Sequence, residues 1–501
     1  MTSPASNREA FVAAYENGNG ALAWRVTVAD LETPVAVFLK LALGKPNSFL
    51  LESIEGGAAR GRYSVIGYAP DLIWRCQNGK VTINADAAGG GAYIEDTRPP
   101  LESLRAAINA ARLNVPAELP PMAGGLVGYL GYDMVRLMEN LPSTAPDDMG
   151  LPDAVLTRPT IFAVFDHVRD ELYLIAPCYA RDGITAATAW DLGQTRLSAA
   201  EAALEQPLPA PPLGEIQASL PEPTSNIAKS DFIDIVLKMK EYIAAGDAFQ
   251  IVPSQRFTTP FTLPPFALYR ALRRINPAPF LFFLDFGGYS IVGSSPEILV
   301  RLRDGIVTIR PLAGTRPRGA TREEDLRLEA ELLADPKERA EHLMLVDLGR
   351  NDVGRVAELG SVAVPQSFSI ERFSHVMHIS STVTGKIKPG LDALDALVAG
   401  FPAGTLTGAP KIRAMEIIAE MEPNRRGIYA GCIGYFAAGG TLDTCIGLRT
   451  ALVKDGAMYV QAGCGVVADS NPEAEYEETR QKARALFRAA EEAVRFAQQK
   501  K

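Results

Sequence analysis

Residues 461–482 read Gln461-Ala-Gly463-Cys464-Gly465-Val-Val-Ala-Asp469-Ser470-Asn471-Pro472-Glu473-Ala-Glu475-Tyr-Glu-Glu478-Thr-Arg-Gln-Lys482. The preceding Met458-Tyr-Val-Gln461 has strand character and runs into two glycines around one small residue, so a ligand can approach the main chain closely. A helix follows. Either Asn471 caps it with Pro472 at the first position, or Ser470 forms a capping box with Glu473. Glu475 and Glu478 are three apart and share a face, while Ala483, Leu486, Phe487, Ala490 and Val494 mark the buried stripe. A bare loop beside carboxylates on a helix suits a small anion held through a divalent cation. A solvated acidic face is the plainer reading, and for Glu475 alone it is the better one; the adjacent glycine pair favours a functional role for Glu478.

The rest of the chain sets the frame. Its 501 residues allow two or three ordinary domains or one large one. Hydrophobic residues make up 47% and charged residues 22%, as in soluble globular proteins. A formal charge of −9 without a basic block argues against nucleic acid as a partner. Cys76, Cys178, Cys432, Cys445 and Cys464 are odd in number and form no Cys-x-x-Cys pair, which fits a reduced, cytoplasmic setting. The first residues lack an apolar signal core, and no apolar run is long enough to span a bilayer.

Residues 1–205 read as strands and hairpins with a few helices: a short helix from Val35, strands at Ser48–Ser53 and Arg60–Gly67, a hairpin of Leu72–Cys76 with Val81–Ile83, a helix over Leu101–Leu113, strands at Gly124–Tyr132 and Ile161–His167, and a closing helix over Ala186–Glu205. His167 at a strand end reads as structural. Residues 206–225 carry six prolines and read as an extended linker. The second region, 226–501, begins with an amphipathic helix over Ser230–Ala245. A helix over Pro265–Ile275 and hairpins at 280–293 and 298–309 follow. Arg310–Gly319 reads as a loop with three arginines, for which solvated charge and anion steering are equally open. Asp335-Pro336-Lys337-Glu338 starts a helix that sets Glu338, Glu341, Leu345 and Leu348 on one face, and a half-apolar face with an acid calls for a cation or an ion pair.

Phe373–Val383 reads as a strand after an irregular lead and holds His375 and His378, two of only four histidines. Nothing nearby completes a zinc site, so one neutral histidine as acid or base competes with a satisfied core histidine. Gly404-Thr-Leu-Thr-Gly-Ala-Pro-Lys411 lacks the Gly-Lys-Ser/Thr ending of a nucleotide loop, but can aim main-chain N–H groups at a carboxylate. Gly427–Phe436 and Leu442–Ala451 read as paired strands, with Arg449 in the second needing an anion, either structural or substrate.

Together, Pro311-Leu-Ala-Gly-Thr-Arg-Pro-Arg-Gly319, Glu341–Asp352, Gly404–Lys411, Leu442-Asp-Thr-Cys-Ile446 and Gln461–Val467 resemble the chorismate-binding enzymes, and within them the anthranilate synthase large subunits, over about residues 48–490. The resemblance implies an α+β fold of two facing, mainly antiparallel sheets with helices outside. An N-terminal tryptophan-binding region (1–205), the linker (206–225) and a chorismate-binding catalytic region (226–501) would then share one body. It implies chorismate and ammonia as substrates, anthranilate and pyruvate as products, and Mg²⁺ held by Glu341 and Glu478, with Glu475 close by. Gly314, Thr315, Tyr429, Arg449, Gly463, Cys464 and Gly465 match the chorismate contacts. Glu297 matches the acid for the departing C4 hydroxyl, and His378 the residue needed for pyruvate elimination. Ser53, Pro279, Phe280 and Leu281 match a pocket for the feedback inhibitor L-tryptophan, with Pro-Phe-Leu where Pro-Tyr-Met is frequent. Water-using members carry a Lys where this chain has Gln250, and the amino-transfer-only members a Lys where it has Ala313. No glutaminase sequence is present, so the resemblance implies a separate glutamine amidotransferase subunit, component II, in a heterotetramer. The rival readings are aminodeoxychorismate synthase, isochorismate or salicylate synthase, and a catalytically silent tryptophan-binding regulator.

Overall fold

A computed structural model describes residues 5–55, 59–142, 145–210, 219–373 and 376–499. Residues 211–218 of the linker, the Gly56-Gly57 turn and His375 lie outside the described residues.

Two long strands set the architecture. Ala59–Gln77 and Ala154–Asp166 pair antiparallel along most of their lengths, with a register shift between Pro70 and Leu72. Ala69 has a φ of 51°, and Pro70 faces Pro159 across the ladder. Neither proline can donate to the ladder, so the pair bends there and passes from one sheet into another. In the first sheet, residues 63–68 lie between Ser48–Glu55 and residues 161–166; Glu171–Tyr179 and Gly20–Val28 extend that side. The other side continues through Phe280–Asp285, Tyr289–Ser295, Thr450–Lys454, Ala457–Gly463 and Ser254–Pro260. In the second sheet, residues 154–157 lead to Gly125–Leu130, Cys432–Ala437, Leu442–Ile446, Ile298–Arg303, Ile306–Ile309 and Val376–Lys386.

Strand periodicity then builds two cores. Phe49, Val65, Phe282, Ile291 and Leu452 belong to the core between the sheets. Their chain neighbours Leu50, Ile66, Phe283, Val292 and Val453 point the opposite way, under helices Pro265–Ile275 and Pro472–Gln499. The long C-terminal helix contributes Ala483, Leu486, Phe487, Ala490 and Val494, the stripe expected from its spacing. Asn471 caps it, since Asn471 Oδ1 accepts from Ala474 N at 3.1 Å. This is the α+β arrangement of facing antiparallel sheets that the motifs implied. Pairing of Ser48–Glu55 with Phe280–Asp285, and of Gly125–Leu130 with Cys432–Ala437, joins residues 1–205 and 226–501 in one body. Each large apolar side chain buried there contributes about 1.5–3 kcal/mol, so the two regions share a core rather than meet at a surface.

Arg310–Gly319 departs from expectation. Leu312–Pro317 is a strand, paired with Val376–Lys386 across a bulge at Gly314, whose φ is 66°. The pairing spans some sixty residues, which local turn chemistry cannot foreshadow. The arginines are held by carboxylates: Arg310 by Glu371, Arg316 by Glu331, Asp335 and Glu338, and Arg318 by Asp325. That supports a structural role over anion steering. Three of those acids lie in or just after helix Arg322–Ala334, which the apolar spacing did not reveal. Asp335 caps the next helix, Pro336–Val356, through the Lys337 and Glu338 amides. All five cysteines are free and buried. No helix among the described residues is long and apolar enough to cross a membrane.

Candidate active site

Two neighbouring strands change sheets together. Tyr289–Ser295 continues into Ile298–Arg303 through Pro296-Glu297, and Leu442–Ile446 continues into Thr450–Lys454 through residues 447–449. The corners are tied to each other: Ile446 N donates to Glu297 O, and Ser294 N donates to Arg449 O, each at 3.1 Å. Arg449 therefore sits in a corner, not within a strand as expected. Its φ of 47° is uncommon for a residue with a side chain and ends the ladder there.

The corners place an acid near a cation. Glu297 is buried, and burial pushes its carboxyl up to about 8, only partly offset by Thr405, the Leu312 main chain and Arg449. It keeps its proton at neutral pH. Burial lowers the Arg449 pKa, with Glu297 opposing. Among the described residues, no carboxylate stands at ion-pair distance from the Arg449 guanidinium. A partly buried guanidinium without such a partner is a receptor for an incoming anion.

The loop of residues 427–431 packs on the second corner, with Ala430 N donating to Gly447 O and Gly447 N to Gly431 O. It carries Tyr429, whose ring lies 5.4 Å from the Arg426 guanidinium. Arg426 in turn forms a buried pair with Glu422 at 2.6 Å, and Glu422 accepts from Ser254 N and Oγ. Removing one member of such a pair costs about 3–5 kcal/mol, so Tyr429 rests on a stiff support. A Cβ on Gly463 would lie 2.6 Å from Tyr429 Oη; one on Gly465 would lie 2.7 Å from Gln250 Nε2. At 463 a Cβ would also lie 2.5 Å from the Pro253 carbonyl oxygen, so only glycine fits there, while at 465 a side chain would require Gln250 to shift.

Gln250 Nε2 donates to Glu341 Oε1 at 3.0 Å, so position 250 and the helix acid meet beside Gly465. On the other flank Lys482 Nζ pairs with Glu478 Oε1 at 2.7 Å and donates to Gly463 O at 3.0 Å. The loop thus brings Glu341 and Glu478 to its two sides. Glu475 points to Ser470 and Cys464, and burial raises its pKa, with Glu478 adding repulsion. Lys482 had no role assigned from sequence; its i,i+4 spacing from Glu478 was the available signal.

His378 is buried in strand Val376–Lys386. Its Nδ1 lies 2.8 Å from Gly314 O and 3.1 Å from Thr315 Oγ1. A carbonyl can only accept, so Nδ1 carries the proton and Nε2 keeps its lone pair. Burial, with Arg449 adding to it, lowers the pKa to about 4, so the ring is neutral and can act as a base. His342, also buried and lowered to about 4, instead meets Ser381 Oγ at 2.6 Å within the fold. His167 Nε2 meets Ser64 Oγ at 2.7 Å, in keeping with its structural reading.

A larger cavity of about 810 Å³ lies between the sheets, lined by Ser53, Pro279, Phe280 and Leu281 among others. Leu281 differs from its neighbours, because its side chain belongs to the core under the helices. The cavity also reaches Pro296 and Ile298, the residues on either side of Glu297, whereas Glu297 itself faces a small cavity with Thr405 and Asp352. Pro296 to Ile298 thus stand between the two cavities, with Ile298 bordering both.

Comparison with known proteins agrees with this geometry. Residues 35–488 match the model of the chorismate binding enzyme family. The chain is 55% identical to anthranilate synthase component 1 of Cereibacter sphaeroides over 491 residues, 98% of each chain. It is 48% identical to that of Pseudomonas putida, covering 92% of this chain and 94% of the relative. Among solved structures, anthranilate synthase component I from Streptococcus pneumoniae superposes with a TM-score of 0.75 at 37% identity, over 92% of this chain and 99% of that one. The menaquinone-specific isochorismate synthase of Escherichia coli shares the fold, with a TM-score of 0.70 at 18% identity over 97% of this chain and all of that one.

Proposed function

The chain belongs to the chorismate-binding enzymes, among the component 1 chains of anthranilate synthase, and from that premise we propose that it converts chorismate and ammonia to anthranilate and pyruvate, with ammonia supplied by a glutamine amidotransferase partner. The observation that carries the chemistry is that a protonated Glu297 and a neutral His378 both feel an Arg449 guanidinium that has no carboxylate partner among the described residues. Arg449 receives the enolpyruvyl carboxylate. Ammonia attacks C2, the ring double bonds shift, and Glu297 gives its proton to the C4 hydroxyl, which leaves as water. His378 Nε2 then removes the C2 proton as the enolpyruvyl C–O bond breaks, and the ring becomes aromatic. The enolate released takes up a proton at its methylene carbon to become pyruvate, and the ring nitrogen, cationic since the attack, gives up a proton to leave the neutral amine.

The donors at the loop suit Mg²⁺, since Glu341 and Glu478 are hard oxygen ligands on either flank of Gly463–Gly465, and this ion combines few carboxylates with water and substrate oxygens. When bound, it would supply positive charge to the ring carboxylate. Lys482 is a cation already placed on Glu478. Glu478→Gln is expected to raise the Mg²⁺ concentration for half-maximal activity at least tenfold and leave the circular dichroism spectrum unchanged; a parent-like Mg²⁺ titration would remove Glu478 from the metal site.

The product test is direct. Purified chain with chorismate, Mg²⁺ and an ammonium salt should develop anthranilate fluorescence. Gln250 beside Glu341 offers no base for water, and buried Ala313 offers no amine for a covalent adduct. Isochorismate or 4-amino-4-deoxychorismate as the main product would overturn the reading.

The large cavity supports feedback inhibition by L-tryptophan, because Ser53 and Phe280 come to it from opposite sides of the linker and its wall carries Glu297. A coupling of about 1–3 kcal/mol would change chorismate affinity by roughly 5–150-fold. Ser53→Phe should crowd the tryptophan end of the cavity and give an active enzyme whose initial rates ignore tryptophan. The idea fails if the parent is insensitive to millimolar-scale tryptophan, or the variant remains sensitive.

A further inference from the structure

Two of the motifs end on residues that the reaction above leaves without a part. Glu341–Asp352 closes on Asp352, near the end of helix Pro336–Val356, and Gly404–Lys411 closes on Lys411, the first residue of helix Lys411–Met421. The two side chains meet: Lys411 Nζ donates to Asp352 Oδ1 at 2.9 Å and to Oδ2 at 2.8 Å. Both are nearly buried, with side-chain exposures of 9% for Lys411 and 10% for Asp352. A buried ion pair adds little to the stability of a fold, because desolvation offsets much of its attraction. Its position therefore calls for another reason.

That position is the small cavity beside Glu297. Its volume is about 30 Å³, room for one or two water molecules. Glu297, Thr405 and Asp352 supply the polar side chains of its lining; the other described residues there are apolar or glycine. Thr405 Oγ1 is buried and has no hydrogen-bond partner among the described residues, although it stands near enough to Glu297 to lower its pKa. Buried hydroxyls are nearly always satisfied, and a water between Thr405, Glu297 and Asp352 has the number of polar partners that holds one in place. Each Asp352 oxygen keeps a second lone pair besides the one facing Lys411, so the carboxylate can bind the ammonium and the water together.

Each turnover leaves Glu297 ionised, since its proton departs with the C4 hydroxyl as water. The carboxylate then sits in surroundings that favour the acid, and it must regain a proton before the next chorismate can react. We propose that Asp352 and Lys411 return this proton through the small cavity. Asp352 takes a proton from the Lys411 ammonium and gives one to the cavity water, which gives one to Glu297; the Lys411 amine, at the edge of solvent, regains its own from water outside. Only O–H and N–H bonds are made and broken, and every group ends as it began. The proposal rests on the role of Glu297 above and adds the residues that reset it.

The test is the time course of the first turnovers, followed by rapid quenching of the full-length chain with chorismate, Mg²⁺ and an ammonium salt. Glu297 holds its proton before substrate binds. Asp352→Asn should therefore make its first anthranilate within about twofold of the parent rate and then continue about tenfold or more slower, a burst of about one product per chain. The slow phase should slow again in D₂O, as a proton relay must and product release need not. Thr405→Val exchanges the unpartnered hydroxyl for a methyl of similar shape; it should give the same burst, and it decides the matter if Asp352→Asn does not fold. Equal slowing of first and later turnovers, or a slow phase indifferent to D₂O, makes the pair a structural tie and overturns the relay. So does a parent-like steady rate, which means that Glu297 is reset from the substrate side, by the His378 imidazolium or by water entering as products leave. In each of these cases the parent still makes anthranilate; a parent that makes none overturns the functional reading, and the relay with it.

Discussion

Methionine at position 378 should uncouple amination from aromatisation: chorismate is consumed with ammonia, an amino-cyclohexadiene carrying the intact enolpyruvyl group accumulates, and anthranilate and pyruvate appear about 10²- to 10⁴-fold more slowly. The expectation follows from the tautomer. Nδ1–H is fixed on Gly314 O, so only Nε2 is available as a base. Methionine fills similar space without a base, and the first step does not use this side chain. Chromatography of quenched reactions, with pyruvate read by lactate dehydrogenase, gives the answer. Anthranilate at the parent rate would move the elimination base elsewhere.

Glu297→Gln should stop the reaction one step earlier. Glutamine can hydrogen-bond the C4 hydroxyl but cannot give it a proton, so turnover should fall by about 10²- to 10⁴-fold with no intermediate accumulating. The pH profile gives the sign. Glu297 must be protonated, so the parent should lose kcat/KM as pH rises through about 8. His378 must be neutral, so activity should also fall as pH drops through about 4. With rates plotted against free ammonia, so that nucleophile protonation is removed, the alkaline limb should vanish in the residual activity of Glu297→Gln. Its persistence would assign the limb to another group.

The fold was readable where one element's own pattern decided it. Residues 229–244 form a helix with Phe232, Val236 and Met239 buried, at the spacing seen in the chain. The hairpins at 280–295 and 298–309 follow from alternation and their glycine turns. The reading broke down where a distant partner decided. Leu312–Pro317 is a strand only because Val376–Lys386 lies beside it. Helix Arg322–Ala334 buries little beyond Leu332 and Asp325, so it shows almost no apolar period, and its signal was the cap, Thr321 with Glu324. Arg449 looked like a strand residue because its neighbours are apolar; nothing local announces a left-handed corner without glycine. At the candidate site, the residue types were legible but their meeting was not. Glu297, Gly314, His378 and Arg449 come from four separate strands and corners, and only the family motifs joined them.

The corner at 294–298 restricts how the gene for this protein can change. Pro296 lines the large cavity, Glu297 the small one, and Ile298 borders both. A substitution changes one side chain, but a codon gained or lost at this corner would move the Glu297 carboxyl relative to both strands that flank it. The carboxyl would then lose its place near Arg449. Length in this run should therefore be inherited unchanged.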